Sequence, residues 1–490
     1  MTRHRRCEQC EGTREMKTLR FGGRAVRVSG SVLGLAMAAV LSAMSPVRAG
    51  ESLADVMVEA YLNSPEMASQ RANIRIAAEN AVQAAAQGRV SVTGQIGVEI
   101  GIDEGPFDSG NGNTWTFPTT LSLTAVQPLY TGGQVENATT AAERRLTSQE
   151  VVLTATEQQL LLDAAIAFLD VRRDGFLLDV AQNNVRVLSE QLRAARERFE
   201  VGEVTRTDVE QARAALAAAR SNLAAAEGQL RNSRETFAEF VGRPPGELLP
   251  PPPLPDLPES LDAAVQLALR NEPNLRAARI EREASGFDVK AAIGALLPQI
   301  SLQGQLSQTD EVRDGLGSSR SANVGVFVTI PFYSGGANYS AVREAQAAVA
   351  GAEASIIATL RDAIRNTGVA WSTLEVARAS IEAGRLEVHA AQLAFEGVTE
   401  EAKVGARTTL DVLDAEADVL DAKVGLISAQ RDEYVAAYRL LASLGLLTVA
   451  HLGLDIGAPP DAGSYYASVR DRNFGYDPSD DTVWSLSYRP

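Results

Sequence analysis

The sequence predicts an α+β membrane protein built as an internal two-fold repeat, each half supplying two strands of a membrane-spanning sheet and a hairpin of long helices. Three observations predict it. FEVGEVTRTDVEQA at Phe199–Ala212 returns as AKVGARTTLDVLDA at Ala402–Ala415, and QPLYTGGQ at Gln127–Gln134 returns as IPFYSGGA at Ile330–Ala337, both 203 residues on. A repeat of that length sets the plan of the whole chain. Gln134–Phe199 and Ala337–Ala402 each run 66 residues without proline, enough at 1.5 Å per residue for about 100 Å of helix. Short segments ahead of those helices alternate apolar and polar residues with period two, as strands do when their faces meet different surroundings.

Residues 1–49 read as a secretory signal peptide. Arg20, Arg24 and Arg27 precede an apolar run from Val32 to Met44, and SPVRAG offers small residues for cleavage after Ala49. That run is too short for a membrane helix. The only cysteines, Cys7 and Cys10, lie in this leader, so the exported part has no disulfide framework and no thiol for a lipid anchor. Beyond the leader the chain carries 37 basic and 59 acidic residues, a net charge of −22. Nucleic acid is excluded as a partner, since phosphate binding needs a basic stripe. The acidity suits a soluble surface or a lumen that prefers cations.

The first half, residues 50–242, reads as helix, two strands, long helix, turn and helix. Val90, Val92, Ile96, Val98, Ile100 and Ile102 share one strand face, and Ser91, Thr93, Gln95, Gly97, Glu99 and Gly101 the other. Trp115, Phe117, Leu121 and Leu123 continue the apolar face on the return strand. Apolar to lipid and polar to lumen is what a barrel strand requires. Asp103–Asn113, rich in Gly and Asp, reads as an exposed loop. The return strand is expected to stop at Pro128, with Tyr130 at the membrane interface and Gly132 and Gly133 letting the chain swing into the long helix.

Along that helix Leu178, Ala181, Val185, Leu188, Leu192, Ala195 and Phe199 step by three and four, as do Val209, Ala212, Leu216, Ala219, Leu223, Ala226 and Leu230 on the returning one. Such spacing packs helices along a coiled-coil seam.

RPPGELLPPPPLPDLP, residues 243–258, is a stiff linker whose prolines cannot continue a helix. The second half, residues 259–447, repeats the order. LDAAVQLALRNEPNL from Leu261 echoes LADVMVEAYLNSPEM from Leu53. Ile300, Leu302 and Leu306 alternate with Ser301, Gln303, Gln305 and Ser307; Thr309–Arg320 is loop-like; Ala322, Val324, Val326, Val328 and Ile330 form the return face. Pro331, Tyr333, Gly335 and Gly336 repeat the strand-to-helix junction, and Val412, Ala415, Val419, Ala422, Leu426 and Ala429 repeat the seam. Residues 448–490, with Tyr466, Tyr476 and Trp484, are expected to be a tail of low order.

Four strands cannot close a membrane barrel, because an open edge leaves backbone groups unpaired in lipid. The chain must oligomerise: two copies would give eight strands filled by side chains, three would give twelve around a passage. The helices by themselves also fit a soluble periplasmic coiled-coil adaptor or structural protein without a pore. A secreted enzyme is disfavoured. There is no Gly-rich phosphate loop between strand and helix, no GxSxG and no His, Cys or acid cluster, so neither catalytic residues nor a cofactor or metal is expected. His389 and His451 alone cannot make a histidine metal site. Trp371, His389 and Tyr434 read as packing or lumen residues.

The two junctions, and above all VGxRTxxDVLDA at Val404–Ala415, resemble the TolC family of outer-membrane efflux and secretion channels, over roughly Leu53–Leu447. The resemblance implies a homotrimer in the outer membrane of a Gram-negative bacterium. Its twelve-stranded transmembrane β-barrel would continue into a long periplasmic α-helical coiled-coil barrel. It further implies a passive exit duct that docks a periplasmic adaptor (membrane fusion) protein and is energised by an inner-membrane pump of the RND, ABC or MFS type.

The repeated phrases fall where a descending helix reverses. Gly202 and Gly405 supply the turn, and Thr205 with Asp208, like Thr408 with Asp411, are placed to cap the returning helices. Asp411 and Asp414 share one helix face, and in a trimer six such carboxylates would converge and attract cations. The resemblance implies that links between neighbouring helices, involving Thr207, Asp208 and Arg407, hold this end closed, and that the tips meet the adaptor. Relatives carry a tyrosine where this chain has Ala402; Lys403 and Glu401 are candidate substitutes.

Overall fold

Each half of the chain opens on a capped helix, and the two halves then run in parallel. The computed structural model describes residues 50–103, 114–310, 317–457 and 462–475. In the first half α1 (Leu53–Asn63), α2 (Pro65–Ala86), β1 (Ser91–Val98), β2 (Gly101–Asp103), β3 (Thr114–Thr116), β4 (Thr119–Tyr130), α3 (Gln134–Glu200) and α4 (Arg206–Val241) follow in order. The second half has α5 (Leu261–Asn271), α6 (Pro273–Gly294), β5 (Gln299–Asp310), β6 (Ser319–Thr329), α7 (Ala337–Lys403) and α8 (Thr409–Ser443), and α9 (Ala462–Val469) ends the series. Ser52 and Ser260 cap α1 and α5 with their side chains. Pro65 and Pro273 begin α2 and α6, where a fixed φ and a missing N–H cost nothing. The long helices α3 and α7 both have 67 residues.

Strands β1, β4, β5 and β6 form one antiparallel sheet in that order, so the two halves are joined through β4 and β5. Register places Val92, Ile96 and Val98 beside Leu121 and Leu123, and these beside Leu302, Leu306, Val324 and Val326. All lie on one face and all are exposed, Val324 by 81%. Ser91, Thr93, Gln95, Ser122, Thr124, Gln303, Gln305, Ser307 and Asn323 share the opposite face. Val126 and Phe327 are the apolar exceptions on it. Thr119, Gln127, Gln308, Asp310 and Arg320 are the polar exceptions on the first face. Two faces of opposite polarity are what a barrel strand requires.

Two strand boundaries differ from expectation. β4 does not stop at Pro128 but runs through it to Tyr130, with a register shift between the two. The proline is tolerated because β1 pairs no further along β4 than Val126, so the missing N–H falls where β4 has lost a neighbour. Gln127 Nε2 covers the local carbonyls, donating to Gly88 O at 3.0 Å and Pro128 O at 2.8 Å. The first strand is also split: β1 ends at Val98, and β2 pairs only with β3 as a small separate sheet. Of the expected loops, Asp103, Thr309, Asp310, Ser319 and Arg320 belong to strands. Residues 104–113 and 311–316 lie outside the described residues, as do the side chains of Ile102 and Trp115.

The main core surrounds the middle of α3. Leu160, Leu161, Ala164, Ala165, Phe168 and Leu169 pack with Leu53, Val56 and Met57 of α1, Phe237 and Val241 of α4, and Val435, Tyr438 and Leu441 of α8. Each large side chain buried there contributes about 2 kcal/mol. Beneath it, Asp174, 1% exposed, accepts from Ser233 Oγ of α4 and from Arg173 Nε at 2.7 Å. Arg173 also reaches Asp170 at 3.3 Å, and Arg431 of α8 donates to Asp170 at 2.7 Å. One charged network thus ties α3, α4 and α8.

Further along, the seam of the first hairpin buries Leu188, Leu192, Ala195, Val209, Ala212, Leu216 and Ala219. Phe199, expected in that seam, is 44% exposed, one residue before the end of α3 at Glu200. Trp371 and Tyr434 pack against buried clusters, and His389 is exposed.

The tail is not wholly of low order. Val449 is buried in the main core, and its N–H donates to Glu157 Oε1 at 2.7 Å. α9 lies on α2 and α3: Tyr465 and Tyr466 donate to Glu79 and Glu143 at 2.7 and 2.8 Å, and Arg89 donates to Asn473 Oδ1 at 3.0 Å and Arg470 O at 2.6 Å. Aromatic rings with polar ends let an otherwise polar segment dock. Tyr476 and Trp484 lie outside the described residues.

Candidate functional site

The residues singled out in the sequence gather at the two ends of the long helices. At the sheet end Gly133 and Gly336, with φ of 79° and 86°, are the residues from which α3 and α7 start. Gly132 and Gly335 precede them, also at positive φ. Tyr130 is 47% exposed and Tyr333 88%, so both rings are presented outward at the level where sheet becomes helix. Pro128 sits in β4, whereas Pro331 lies beyond the end of β6 at Thr329.

At the far end each hairpin reverses the same way. The N–H of Gly202 returns to Phe199 O and that of Glu203 to Arg198 O; Gly405 and Ala406 return to Ala402 O and Glu401 O. Such a turn satisfies the last helical carbonyls and needs a left-handed residue. Gly202 and Gly405 provide it, at φ 79° and 78°.

Two capping boxes then launch α4 and α8. Asp208 N donates to Thr205 Oγ1 at 3.3 Å while Thr205 N donates to Asp208 Oδ2 at 2.8 Å. Asp411 N and Thr408 Oγ1 are 3.2 Å apart, Thr408 N and Asp411 Oδ2 2.9 Å. Hydrogen bonds from the Thr408 backbone and side chain hold the Asp411 carboxyl below its usual range, and Arg407 adds to the effect. Asp414, three residues on, is exposed. The two aspartates therefore differ: one is engaged in the cap, and the other is presented to solvent.

The tips of the two hairpins face each other across a cleft of about 610 Å³. Thr205, Asp208, Ala402, Arg407 and Thr408 line it; Thr207 is exposed beside it. Within the chain Arg407 is not joined to Thr207 or Asp208. Its Nε donates to Glu401 Oε2 at 2.8 Å, which holds its proton more firmly, and Lys403 Nζ donates to Glu400 Oε1 at 2.6 Å. The local geometry explains the difference, since the turn at Gly405 brings Arg407 back over the last turn of its own α7, while Asp208 is held by its cap.

Sequence reasoning missed three residues here. Leu413 of α8 is buried in the seam of the first hairpin. Gln191 Nε2 of α3 donates to Glu416 Oε2 of α8 at 2.5 Å. Burial pushes the Glu416 carboxyl up, against the pull of the Gln191 donor and of Lys423. The signal was present but weak: Gln191 directly precedes the seam residue Leu192, and Glu416 follows Ala415. Their pairing needs two helices 225 residues apart.

A family model described as outer membrane efflux protein matches residues 56–243 and 264–446. The chain is 36% identical over 427 residues to the outer membrane efflux protein BepC of Brucella suis biovar 1 (strain 1330), which covers 87% of this chain and 92% of that protein. It is 25% identical over 430 residues to the outer membrane protein TolC of Vibrio cholerae serotype O1, 85% of this chain and 96% of that one. A solved structure of CusC shares the fold with a TM-score of 0.71 at 19% identity, over 81% of this chain and 92% of that chain. Matched in this way over both halves, the chain belongs to the outer membrane efflux protein family, and it is an outer-membrane channel of the efflux and secretion type.

Proposed function

We propose that three copies of this chain close a twelve-stranded barrel in the outer membrane, continuous with a helical duct through the periplasm. It serves as the passive exit of a tripartite efflux pump or a type I secretion system. Residues 1–49 direct export and are removed. The observation that carries the reading is the open sheet: β1 and β6 are edges, and in lipid each unpaired backbone group costs several kcal/mol. Pairing β6 of one copy with β1 of the next removes every edge. Exposure along α7 supports the same closure. Leu161 of α3 is fully buried, whereas Ile364, its equivalent 203 residues on, is 39% exposed, and Val369, Val376, Leu386 and Leu393 are more so.

In this reading the hairpin tips, turned by Gly202 and Gly405 and capped from Thr205 and Thr408, meet a periplasmic adaptor. Asp411 and Asp414 form an acidic ring, and Arg407 links to Thr207 and Asp208 of a neighbouring copy. An inner-membrane pump of the RND, ABC or MFS type supplies the energy, since nothing in this chain's sequence reads as an energy-coupling site. Cargo follows from the pump. Heat-modifiable oligomers of three chains that conduct in planar bilayers are expected from the purified mature protein. A monomer in detergent that forms no pores would overturn the proposal.

A further inference from the structure

The apolar face of the sheet is broken at its two ends. Towards the helices the break falls at Gln127; at the far end, where β5 turns back to β6, it falls at Thr119, Gln308, Asp310 and Arg320. Register sets Ile96, Leu121, Gln308 and Arg320 in one row across the four strands, and Leu123, Leu306 and Ala322 in the next row towards the helices. The row of Arg320 is therefore where the apolar band ends.

A shallow furrow of about 450 Å³ opens on this face. Leu121, Leu123, Leu306 and Ala322 make it apolar, and Gln308 and Arg320 stand at its outer end. Ala322 lies directly opposite Leu306, and its small side chain leaves the furrow open. The polar groups there are unequally engaged. Gln308 Nε2 donates to both carboxylate oxygens of Asp310 at 3.2 Å, whereas Arg320 is exposed and its side chain has no ion pair or hydrogen bond among the described residues. The internal repeat shows that this end departs from the common plan. The equivalent of Arg320, 203 residues earlier, is Phe117, and that of Gln308, 208 residues earlier, is Ile100; both are exposed and apolar. An arginine on a lipid-facing strand costs most at the midplane and little at the interface, and its planar fork of donors suits a phosphate.

We propose that this furrow is a binding site for a phosphorylated, anionic lipid of the outer leaflet, one per chain: Arg320 pairs with the headgroup phosphate, and an acyl chain lies along Leu121, Leu123, Leu306 and Ala322. This rests on the duct reading above, which turns the apolar face to lipid and the helices to the periplasm. The end of the sheet remote from the helices is then the outer one. Complementarity selects the occupant. A neutral lipid leaves Arg320 without a partner, and a free phosphate leaves the apolar furrow empty.

The test uses the full mature chain, purified as the heat-resistant oligomer, titrated with diphosphoryl lipid A in mixed micelles containing EDTA and read by native mass spectrometry. One retained lipid A per chain is expected. Arg320→Gln should weaken retention about five-fold, the effect of one basic residue at an anionic membrane surface. Ala322→Phe fills the furrow while keeping Arg320, and should weaken retention as much. Inorganic phosphate in large excess should not displace the lipid. Diacylglycerol, which has the tails but no phosphate, should be retained poorly.

Lipid A held by Arg320→Gln or by Ala322→Phe as firmly as by wild type would remove the site. Displacement by inorganic phosphate would mean a free-anion site, and diacylglycerol held as tightly as lipid A would mean an ordinary shell of lipid; either overturns the proposal. So would loss of the heat-resistant oligomer in Arg320→Gln, since that residue would then serve the joint between β6 and β1 of the next copy. In each of these cases a wild-type oligomer that conducts in planar bilayers leaves the duct standing. A wild-type chain that neither oligomerises nor conducts strikes the duct reading itself.

Discussion

Gly132 meets Gly294 across the seam between the two halves: a Cβ on Gly132 would lie 2.5 Å from the Gly294 carbonyl oxygen and 2.8 Å from Leu297 Cβ. The contact is backbone on backbone, at the level where sheet passes into helix. No such neighbour stands by Gly335, the equivalent position in the second half, where an added Cβ would meet nothing within 4 Å among the described residues.

Gly132→Ala is therefore expected to destabilise the chain by about 3 kcal/mol, from a strained φ together with a clash that backbone cannot relieve. Gly335→Ala in a single chain carries the φ strain alone, about 1 kcal/mol. If copies close around the barrel, the α2–β1 turn of a neighbour occupies the place that the α6–β5 turn takes against Gly132, and the two substitutions cost alike. The temperature at which heat-resistant oligomers dissociate on gels compares them. A Gly335→Ala oligomer as stable as wild type would count against that interface.

Asp174 is the most buried charge among the described residues, held by Ser233 and Arg173. Asp174→Ala leaves Ser233 and part of Arg173 without a partner and should cost about 3 kcal/mol; Ser233→Ala should cost about 1 kcal/mol. Thermal unfolding in detergent, followed by circular dichroism, measures both. Equal and negligible effects would mean that the network is dispensable.

Burial, with the Glu143 carboxylate beside it, pushes the Tyr466 hydroxyl up to about 12 from an ordinary value of 10.0. A raised folded-state pKa means that its contribution is whole below pH 10 and is lost as pH rises through about 12. α9 should accordingly come off α2 and α3 within that alkaline window, read as protease cleavage near Ala462–Val469. Tyr466→Phe should weaken the docking by about 1 kcal/mol at neutral pH and abolish this alkaline step.

Asp411 and Asp414 separate by experiment as they do in place. Asp411→Ala removes half of a capping box and should speed amide exchange in the first turn of α8. Because its carboxyl is held below the usual range, the cap contributes above the ordinary carboxylate pKa and is lost only as pH falls through the lower folded value. Asp414→Asn should leave that exchange unchanged and reduce cation preference in planar bilayers. Unchanged selectivity in Asp414→Asn would remove it from the mouth of the channel.

Much of this was legible in the sequence. Alternation in Val92–Val98 and Val324–Val328 told which face is apolar, because strand period two admits one solution. The proline-free runs gave α3 and α7 to within one residue at their ends. The phrases around Gly202 and Gly405 announced turn and cap together, because these are local hydrogen bonds between residues three to five apart. The length of β4 was not legible, since a proline is forbidden only where its N–H is needed, and that depends on where β1 stops. Nor was the docking of α9, whose partners Glu79 and Glu143 lie more than 300 residues away.

By itself the sequence determined the duplicated plan, the lipid-facing residues and the two reversing turns, all of them consequences of periodicity and short-range bonding. Only the tertiary structure decided that Arg407 turns to Glu401 and that Gln191 finds Glu416. Which long side chain meets which depends on how two hairpins are rotated and staggered against each other, and that is set by packing across the whole chain.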